Sequence, residues 1–597
     1  MISRSSEDAL RRIRQACLFL WLGLAVPAFM AGQEQTQNQR LDQAAEARAA
    51  TAVVHGMVRN ADGEPLARAL VRIDGDASSG ALTDGDGRFE IPSVPVGPQE
   101  FEVLRPGFLD ETADVATAGM SENTREYAHN VMVAAEMPDL VFTMFATNAI
   151  HGQVQLSTGE PAQGIGVVLL RHAVQNGRMV WEVASTTRTN SEGMYRFGGL
   201  ADGLYAIRND PAMDNERVSN LVAGNAANAT HSGYASQFYA EAHDLAGAAK
   251  IRLSGGEQAE ANLALTLEPF RSVTATVLGP GGKGSREGVL NGAGMNSSAQ
   301  ILDAQGHQLP YLAQYDSATH AAQALLPDGS YTMVINVAGQ SGLRLTAGVS
   351  TGANGNSFAG SVDFSVSGHA VPNLRVSLSP VRNNPIEVNL VRSGTLAVQS
   401  SPGQEGIFIS VSQAGGWISD GMMSNFAEGP LAGPLESQFT PPGSYWAHTN
   451  IADKRMCEGS LTAGGANLAR ESLVLGLTGP TAPLSLTLRE DCASLTITLP
   501  ATKAVPIAGI EPFYTVYAVP DFDSTTDVVP LTLRPSTGGK VTLTGLTPGN
   551  YHVYSFDKPV VLAYRDATAL EALPNPGQEV ALSPGSESTL VLEVPEQ

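Results

Sequence analysis

Short runs in which apolar and polar residues alternate with a period of two recur along most of this chain. Residues 53–58 and 149–154 are two examples, and Gly, Pro or Asp bounds each of them. Alternation of this kind is typical of strands with one buried face, while Gly, Pro and Asp between the runs favour tight turns. The pattern therefore predicts an all-β protein of antiparallel strands with little helix.

Two segments of the chain, residues 54–89 and 150–195, share one order of strands and turns. The second copy follows the first by 96 residues at its start but by 106 residues at its end. It therefore carries a ten-residue insertion, and we expect a longer hairpin around residues 172–181 to contain it.

A Gly-x-Tyr corner precedes an alternating strand in four places, and a looser version with Phe precedes one near residue 100. The aromatic residues of the five corners are Phe101, Tyr205, Tyr331, Tyr445 and Tyr551. Five corners predict five modules, and a pair of alternating runs across a Gly closes each of the last four. We predict modules over residues 51–146, 147–269, 270–392, 393–490 and 491–597.

The motifs of the first two modules resemble the carboxypeptidase regulatory-like domain. The shared order runs from a His-Gly strand through an Asp/Thr-Gly-Glu-Pro turn and a Gly-Arg/Met-Phe/Tyr turn to the aromatic corner, over residues 53–108 and 149–208. The last module keeps the second half of this order, and modules three and four keep the corner and the closing hairpin. The resemblance implies a tandem array of about five Greek-key, transthyretin-like β-sandwich modules, similar to arrays in exported bacterial proteins. It implies a carbohydrate-binding-like fold without implying a particular ligand.

The first residues follow the layout of a secretory signal peptide. Four Arg between positions 4 and 14 precede an apolar run over residues 16–31, and polar residues follow. This run is shorter than the ~20 residues that a membrane-spanning helix requires. We therefore predict a signal peptide over residues 1–32, a polar leader over residues 33–50, and export to the periplasm, the cell surface or the medium.

The net charge of the chain excludes one class of partner, and its cysteine content suggests a disulfide. The formal net charge of −23 would repel the phosphates of nucleic acids, which are therefore not expected partners. Cys17 falls in the predicted signal peptide, which leaves Cys457 and Cys492. An even pair in an exported chain is a disulfide candidate, with two separate buried thiols as the alternative. A disulfide here would clamp the boundary between modules four and five.

Three patterns that suggest chemistry have simpler interpretations. Asp84 and Asp86 have the spacing that opens a calcium loop, but a strand follows almost at once, so we predict a hairpin turn. His55 and His151 occupy equivalent strand positions in different modules, without a second ligand beside either. Ser350 lies in a Gly-x-Ser-x-Gly pattern whose Gly- and Asn-rich flank cannot begin the helix that a nucleophile elbow requires. We therefore predict a protein that is not an enzyme and that holds no metal or cofactor.

Sugar binding would require exposed aromatic rings, because a flat ring stacks on the apolar face of a pyranose. Trp181, in the inserted hairpin, and Trp417, after two Gly, are the candidate ligand-contact residues. Two functions stay open. The first is a rod-like adhesive or scaffold element of the cell envelope whose modules contact mainly their neighbours along the chain. The second is a polysaccharide-binding protein that uses loops of module two or four, and an enzyme of another type is a third.

Overall fold

The computed structural model describes most of the chain from residue 51 onward. The described residues are 51–73, 76–110, 128–214, 231–279, 296–304, 306–316, 319–338, 357–381, 384–391, 406–415, 417–418, 424–429, 435–437, 440–477, 479–500, 514–534, 538–557 and 560–593. The predicted signal peptide and leader, residues 1–50, and the predicted loop at Ser350 lie outside these residues.

The described residues form an all-β fold, as predicted, and most of their buried apolar side chains fall into five large clusters. These clusters span residues 52–144, 150–265, 273–378, 386–488 and 493–592. Each cluster combines side chains from two groups of strands, as expected of the core of a β-sandwich. We number the modules 1 to 5 by these clusters, and their exact boundaries remain a prediction.

Module 1 contains eight strands in two sheets. Its strands are β1 (Thr51–Asn60), β2 (Leu70–Ile73), β3 (Asp76–Leu82), β4 (Arg88–Pro95), β5 (Gly97–Leu104), β6 (Phe108–Asp110), β7 (Ala128–Val133) and β8 (Leu140–Ala146). The sheet orders are β4-β1-β8-β6 and β3-β2-β5-β7.

Module 2 repeats this arrangement with longer central strands. Its strands are β9 (Asn148–Leu156), β10 (Gly166–Gln175), β11 (Arg178–Arg188), β12 (Met194–Leu200), β13 (Gly203–Asn209), β14 (Ala212–Met213), β15 (His231–Tyr234), β16 (Ile251–Leu253), β17 (Gln258–Glu260) and β18 (Leu263–Leu265). One sheet has the order β16-β13-β10-β11, and in the other β12, β17 and β18 all pair with β9. Between β15 and β16, residues 235–250 form irregular structure without a helix.

Module 3 shares a sheet with module 2. Its strands are β19 (Leu267–Leu278), β20 (Asn296–Leu302), β21 (Ala313–Asp316), β22 (Ala321–Leu326), β23 (Gly329–Ala338), β24 (Ser357–Val366), β25 (Val371–Ser377) and β26 (Ser379–Pro380). The shared sheet has the order β14-β15-β19-β22-β21, with β25 also on β19, and the second has the order β20-β23-β24-β26.

In module 4, β-pairing connects the two halves of the sandwich. Its strands are β27 (Pro385–Val391), β28 (Ile407–Gln413), β29 (Trp417–Ile418), β30 (Ser424–Gly429), β31 (Leu435–Ser437), β32 (Gly443–Ile451), β33 (Cys457–Ala463), β34 (Ala466–Asn467), β35 (Leu473–Gly476), β36 (Gly479–Pro480) and β37 (Leu484–Arg489). Strand β31 pairs with both β27 and β30, which gives the order β34-β33-β37-β27-β31-β30-β28-β32-β35-β36.

Module 5 is a smaller sandwich with one short helix. Its elements are β38 (Ala493–Thr498), β39 (Tyr514–Pro520), β40 (Leu531–Leu533), β41 (Lys540–Leu546), β42 (Gly549–Phe556), α1 (Ala567–Glu571), β43 (Gln578–Leu582) and β44 (Glu587–Val591). The sheet orders are β41-β38-β44 and β40-β39-β42-β43.

All five modules share one topology. The first strand of each module pairs in parallel with one of its last strands: β1 with β8, β9 with β18, β19 with β25, β27 with β37 and β38 with β44. Between them the chain forms further strands of the same sheet and, in modules 1, 2, 3 and 5, the strands of a second sheet, so it crosses from one sheet to the other and returns, as in a Greek key. The predicted tandem array of Greek-key modules is confirmed.

The repeated His-Gly pair marks a place where three strands approach closely. A Cβ atom at Gly56 would lie 2.5 Å from the Phe89 ring, and one at Gly152 would lie 2.0 Å from the carbonyl oxygen of Ala261. Gly is therefore needed in the first strand so that the neighbouring strands can pack. The His55 side chain points outward and is 54% exposed.

The two repeated turns are built in the same way. The Asp84 Oδ1 atom accepts hydrogen bonds from the N–H groups two and four residues later, at 2.9 and 2.8 Å. The Asn190 Oδ1 atom accepts the equivalent bonds at 3.0 and 2.8 Å. Both side chains therefore stabilise hairpin turns, as predicted for Asp84 and Asp86.

The Gly-x-Tyr corners close with one hydrogen bond in four modules. Each Tyr hydroxyl donates to the carbonyl oxygen four residues upstream, at 2.8, 3.1, 2.9 and 2.8 Å in modules 2 to 5. Such tyrosine corners fix the chain where it enters a strand of a β-sandwich. Module 1 has Phe101 at this position and lacks the bond.

We expect Tyr445→Phe to lower the free energy of unfolding of module 4 by about 1–2 kcal/mol, because the Pro441 carbonyl loses its donor. Burial raises the pKa of Tyr445 from 10.0 to about 12. The unfolded chain therefore ionises first, so the wild type should lose stability as the pH rises from 10 towards 12, and the variant should lack this loss. Hydrogen exchange of β32 amides at increasing urea measures the first effect at pH 7, and urea denaturation followed by circular dichroism between pH 10 and 12 measures the second. Equal stability of the two proteins at pH 7 would contradict the prediction.

Candidate functional site

A cleft of about 870 Å³ lies where modules 2, 3 and 4 meet. Module 2 contributes hairpin residues 179–181 and the loop around Phe238, module 3 contributes Tyr311, and module 4 contributes Gln413 and Trp446. We call this cavity the three-module cleft. It joins parts of the chain that lie far apart in sequence, so it exists only in the assembled array.

The wall of the cleft on the module 2 side is the hairpin of β10 and β11. These strands have 10 and 11 residues, whereas the equivalent β2 and β3 have 4 and 7. The predicted ten-residue insertion therefore lengthens this hairpin, as expected. The outer part of the hairpin extends beyond β13, which pairs with β10 only between Val167 and His172.

The structure brings the two candidate ligand-contact residues together. Strand β29 of module 4 pairs in parallel with β11 of module 2, and Trp181 and Trp417 are directly paired positions. The side chain of Trp417 lies outside the described part of the structure. The Trp181 ring lines the three-module cleft.

The Trp181 ring contacts two basic side chains. The His172 imidazole stacks on it with ring centroids 4.9 Å apart, and the Lys250 Nζ atom lies 5.3 Å from its centroid. Burial and the nearby Lys250 charge lower the pKa of His172, so this imidazole is neutral at pH 7. The ring is half-buried, and part of it faces the cleft.

Trp446 also lines the cleft, although it was not among the predicted contact residues. The Arg178 guanidinium lies 3.7 Å from the centroid of its ring. Burial, followed by the charge of Arg565, lowers the pKa of Arg178 to about 10. The sequence contained a signal for this position, because alternation along the corner strand places Trp446 on the opposite face from the buried Tyr445.

The polar side chains of the cleft include both hydrogen-bond donors and acceptors. Tyr311, whose pKa is raised to about 12 by burial and by the Glu268 charge, keeps its hydroxyl proton and is a donor among them. The Asp303 carboxylate lies 3.2 Å from Nδ1 of His307. The lining thus combines aromatic rings with carboxylates, of which four are present: Asp244, Glu268, Asp303 and Asp328.

A Ser-His-Asp series lies where module 4 meets module 5. The Ser412 Oγ atom is 3.0 Å from His448 Nε2, and His448 Nδ1 is 2.9 Å from Asp527 Oδ1. Although this order is that of a serine hydrolase, Ser412 is only 7% exposed and Asp527 also receives a hydrogen bond from Arg565. We therefore interpret these three residues as part of the packing contact between modules 4 and 5.

A buried carboxylate ties the same two modules together. Glu458 of β33 is 3% exposed and accepts four hydrogen bonds from module 5. The donors are the Thr525 N–H group and the hydroxyls of Ser524, Thr525 and Thr526, at 2.7 to 3.2 Å. This geometry satisfies both carboxylate oxygens.

A disulfide lies at the same boundary. The structure joins Cys457 of β33 to Cys492, which lies between β37 and β38, with Cα atoms 5.8 Å apart. This distance is within the range of about 7 Å that a disulfide allows.

The tip of the module 2 hairpin reaches module 5. The Arg565 N–H group donates to the Gly177 carbonyl oxygen at 2.9 Å, and Arg565 Nε donates to the Asn176 carbonyl oxygen at 3.1 Å. The expectation that modules contact mainly their neighbours along the chain is therefore wrong. The physical reason is the inserted length of hairpin, which carries module 2 residues past module 3 to modules 4 and 5.

The described ranges contain no group of three or more His, Cys, Asp and Glu side chains that could hold a metal ion. Within the portion of the chain whose structure is described, no helix is long and apolar enough to cross a membrane.

Comparison with known proteins finds a similarity to one domain family near the start of the described chain. Residues 53–128 match the model of the carboxypeptidase regulatory-like domain. No curated protein matches the chain. Structural matches include a streptococcal ancillary pilin, with 11% identity, a TM-score of 0.18, and coverage of 55% of this chain and 99% of the pilin. Another, described as putative polysaccharide binding proteins from Bacteroides thetaiotaomicron, has 13% identity, a TM-score of 0.13, and coverage of 31% and 75%.

A minor pilin of Streptococcus agalactiae also matches, with 13% identity, a TM-score of 0.18, and coverage of 36% of this chain and 96% of the pilin. TM-scores this low carry no argument about the present chain. Residues 53–128 are therefore similar in sequence to the carboxypeptidase regulatory-like domain, and they lie within the first of a tandem array of Greek-key β-sandwich modules.

Proposed function

We propose that this chain is an exported, non-catalytic binding protein that recognises polysaccharide in the three-module cleft, at the cell surface or in the periplasm. The observation that carries the proposal is the cleft itself, where Trp181 and Trp446 of two different modules line one cavity together with four carboxylates. No cofactor is part of this function.

The chemistry of the lining suits a sugar. Indole rings offer flat apolar surface to the C–H face of a pyranose, and carboxylates accept hydrogen bonds from its hydroxyls. The cavity volume of about 870 Å³ is within the usual range for ligand pockets of about 300–1,000 Å³. Of the candidate residues, Trp181 lines this cavity, which supports its predicted role, and the backbone of Trp417 pairs directly with it.

An adhesive or scaffold role that engages another envelope protein is the second candidate function. The buried Glu458 contact and the disulfide favour it, because they hold modules 4 and 5 together as a scaffold under load requires. The two functions differ in their ligand, and binding to an array of purified polysaccharides separates them.

We expect Trp181→Ala to weaken the binding of any polysaccharide retained on such an array by 10-fold or more, because the loss of one stacking ring costs about 1.4 kcal/mol or more. Phe145→Ala is the matched control, since Phe145 is an exposed aromatic residue of a module 1 strand, far from the cleft in sequence. Calorimetric titration of both variants measures the affinities. If the wild-type chain binds no polysaccharide, or if Trp181→Ala binds as well as the control, the proposal fails.

A further inference from the structure

We propose that module 5 holds the three-module cleft in its binding shape through the tip of the β10–β11 hairpin, although none of the described residues that line the cleft belongs to module 5. This inference rests on the proposed function, because it concerns the regulation of the same site. Its structural part can be tested without a ligand.

The wall of the cleft is next to the hairpin tip. Residues 179–181 line the cavity, and the turn at Asn176 and Gly177 immediately precedes this strand. The β10–β11 pairing continues without a break from Leu170 to the turn. A displacement of the tip is therefore transmitted to the wall.

The outer half of the hairpin depends on contacts outside module 2. Beyond His172, β10 no longer pairs with β13, and β11 gains a short partner, β29, only at Trp181 and Glu182. A two-stranded ribbon is at best marginally stable in water by itself. The position of the wall is thus set by whatever holds the tip.

Module 5 holds the tip through Arg565, which its own hydrogen bonds keep in place and which we call the Arg565 clamp. The Arg565 guanidinium is 91% buried and donates to the carbonyl oxygens of residues 524–526 at 2.5 to 3.2 Å and to Asp527 Oδ1 at 3.3 Å. These bonds leave Nε and the backbone N–H group to hold the carbonyl oxygens of Asn176 and Gly177. Most of the clamp is therefore in place without the hairpin.

The hairpin turn at Gly177 packs tightly against the Tyr564 ring of module 5. A Cβ atom at Gly177 would lie 2.5 Å from the nearest carbon of the Tyr564 ring. Arg178, the next residue, contacts module 4 by stacking on Trp446 and by donating to the Ala469 carbonyl oxygen at 2.6 Å. The tip is therefore held on two sides, and a single methyl group at Gly177 would displace it.

The test compares Gly177→Ala with Gly159→Ala. Both Gly lie in hairpin turns of module 2 with positive φ, 77° and 86°, so Ala introduces similar backbone strain at each. Nothing lies within 4 Å of a Cβ atom at Gly159, so only Gly177→Ala also disrupts the clamp. We expect faster hydrogen exchange at residues 173–181 in Gly177→Ala alone, with exchange of the other module 2 strands unchanged.

For a polysaccharide that the wild type binds, we expect Gly177→Ala to lower the affinity 10-fold or more and Gly159→Ala to change it less than 2-fold. Equal affinity of the two variants, or unchanged exchange at residues 173–181, would overturn the inference. If the wild type binds no polysaccharide, the proposed function fails, and the exchange result alone decides whether module 5 fixes the wall. Should Gly177→Ala not fold, Arg565→Ala removes the bond to the Asn176 carbonyl oxygen from the module 5 side and should give the same pattern more weakly.

Discussion

Glu458→Ala should lower the stability of the contact between modules 4 and 5 by about 3 kcal/mol. The Thr525 N–H group would lose its acceptor, and a buried unsatisfied donor costs about 1–3 kcal/mol, whereas the three hydroxyls can rotate towards other acceptors and lose less. Hydrogen exchange of β33 amides at increasing urea reports this change. The loss should also free residues 524–526, to which the Arg565 clamp is bonded.

Two variants control this experiment. Glu458→Gln keeps one carbonyl oxygen as acceptor and should cost less than half as much. Glu387→Ala removes an exposed carboxylate from β27 of the same module and should leave exchange unchanged. If Glu458→Ala behaves like Glu387→Ala, the carboxylate does not hold the modules together.

Reduction of the disulfide should destabilise module 4 by about 3–4 kcal/mol. Cys457 and Cys492 are 35 residues apart, and closing a loop of this length restricts the unfolded chain to about that extent. Urea denaturation with and without dithiothreitol measures the loss. Modules 1 to 3 are an internal control, because their described residues contain no cysteine.

The pairing of Cys457 with Cys492 can also be tested by thiol titration. The denatured, unreduced chain without residues 1–32 should show no free thiol on titration, and two titratable thiols would contradict the pairing. Cys492→Ser should then reproduce the destabilisation that dithiothreitol causes in the wild type.

Features specified by a few adjacent residues could be predicted from the sequence. Alternation gave the strands, the Asp84 turn followed from its Gly and Asp, and the length of the inserted hairpin followed from the repeat. The corners at Tyr205 to Tyr551 located the modules because a short spacing determines their hydrogen bond. Each of these depends on contacts within one module.

The candidate site could not be predicted, because contacts between modules create it. No local pattern indicates that β29 pairs with β11, or that Ser412, His448 and Asp527 come together from two modules. Trp181 and Trp417 were selected individually as ring-bearing residues, and their pairing depends on how module 4 packs against module 2. The same packing invalidated the rod-like arrangement.

The hairpin of module 2 has a particular consequence for the order of events during synthesis. Arg565 follows Asn176 by 389 residues, so at about 5–20 residues per second roughly 20–80 s separate their emergence from the ribosome. Strands β9 to β13 and β16 to β18 can pair with one another during this interval, since they all lie before residue 266. The β11 edge gains β29 once module 4 has been made, but the tip of the hairpin must wait for the last module. Until module 4 is in place, the outer half of β11 presents an unpaired strand edge, to which another chain can pair.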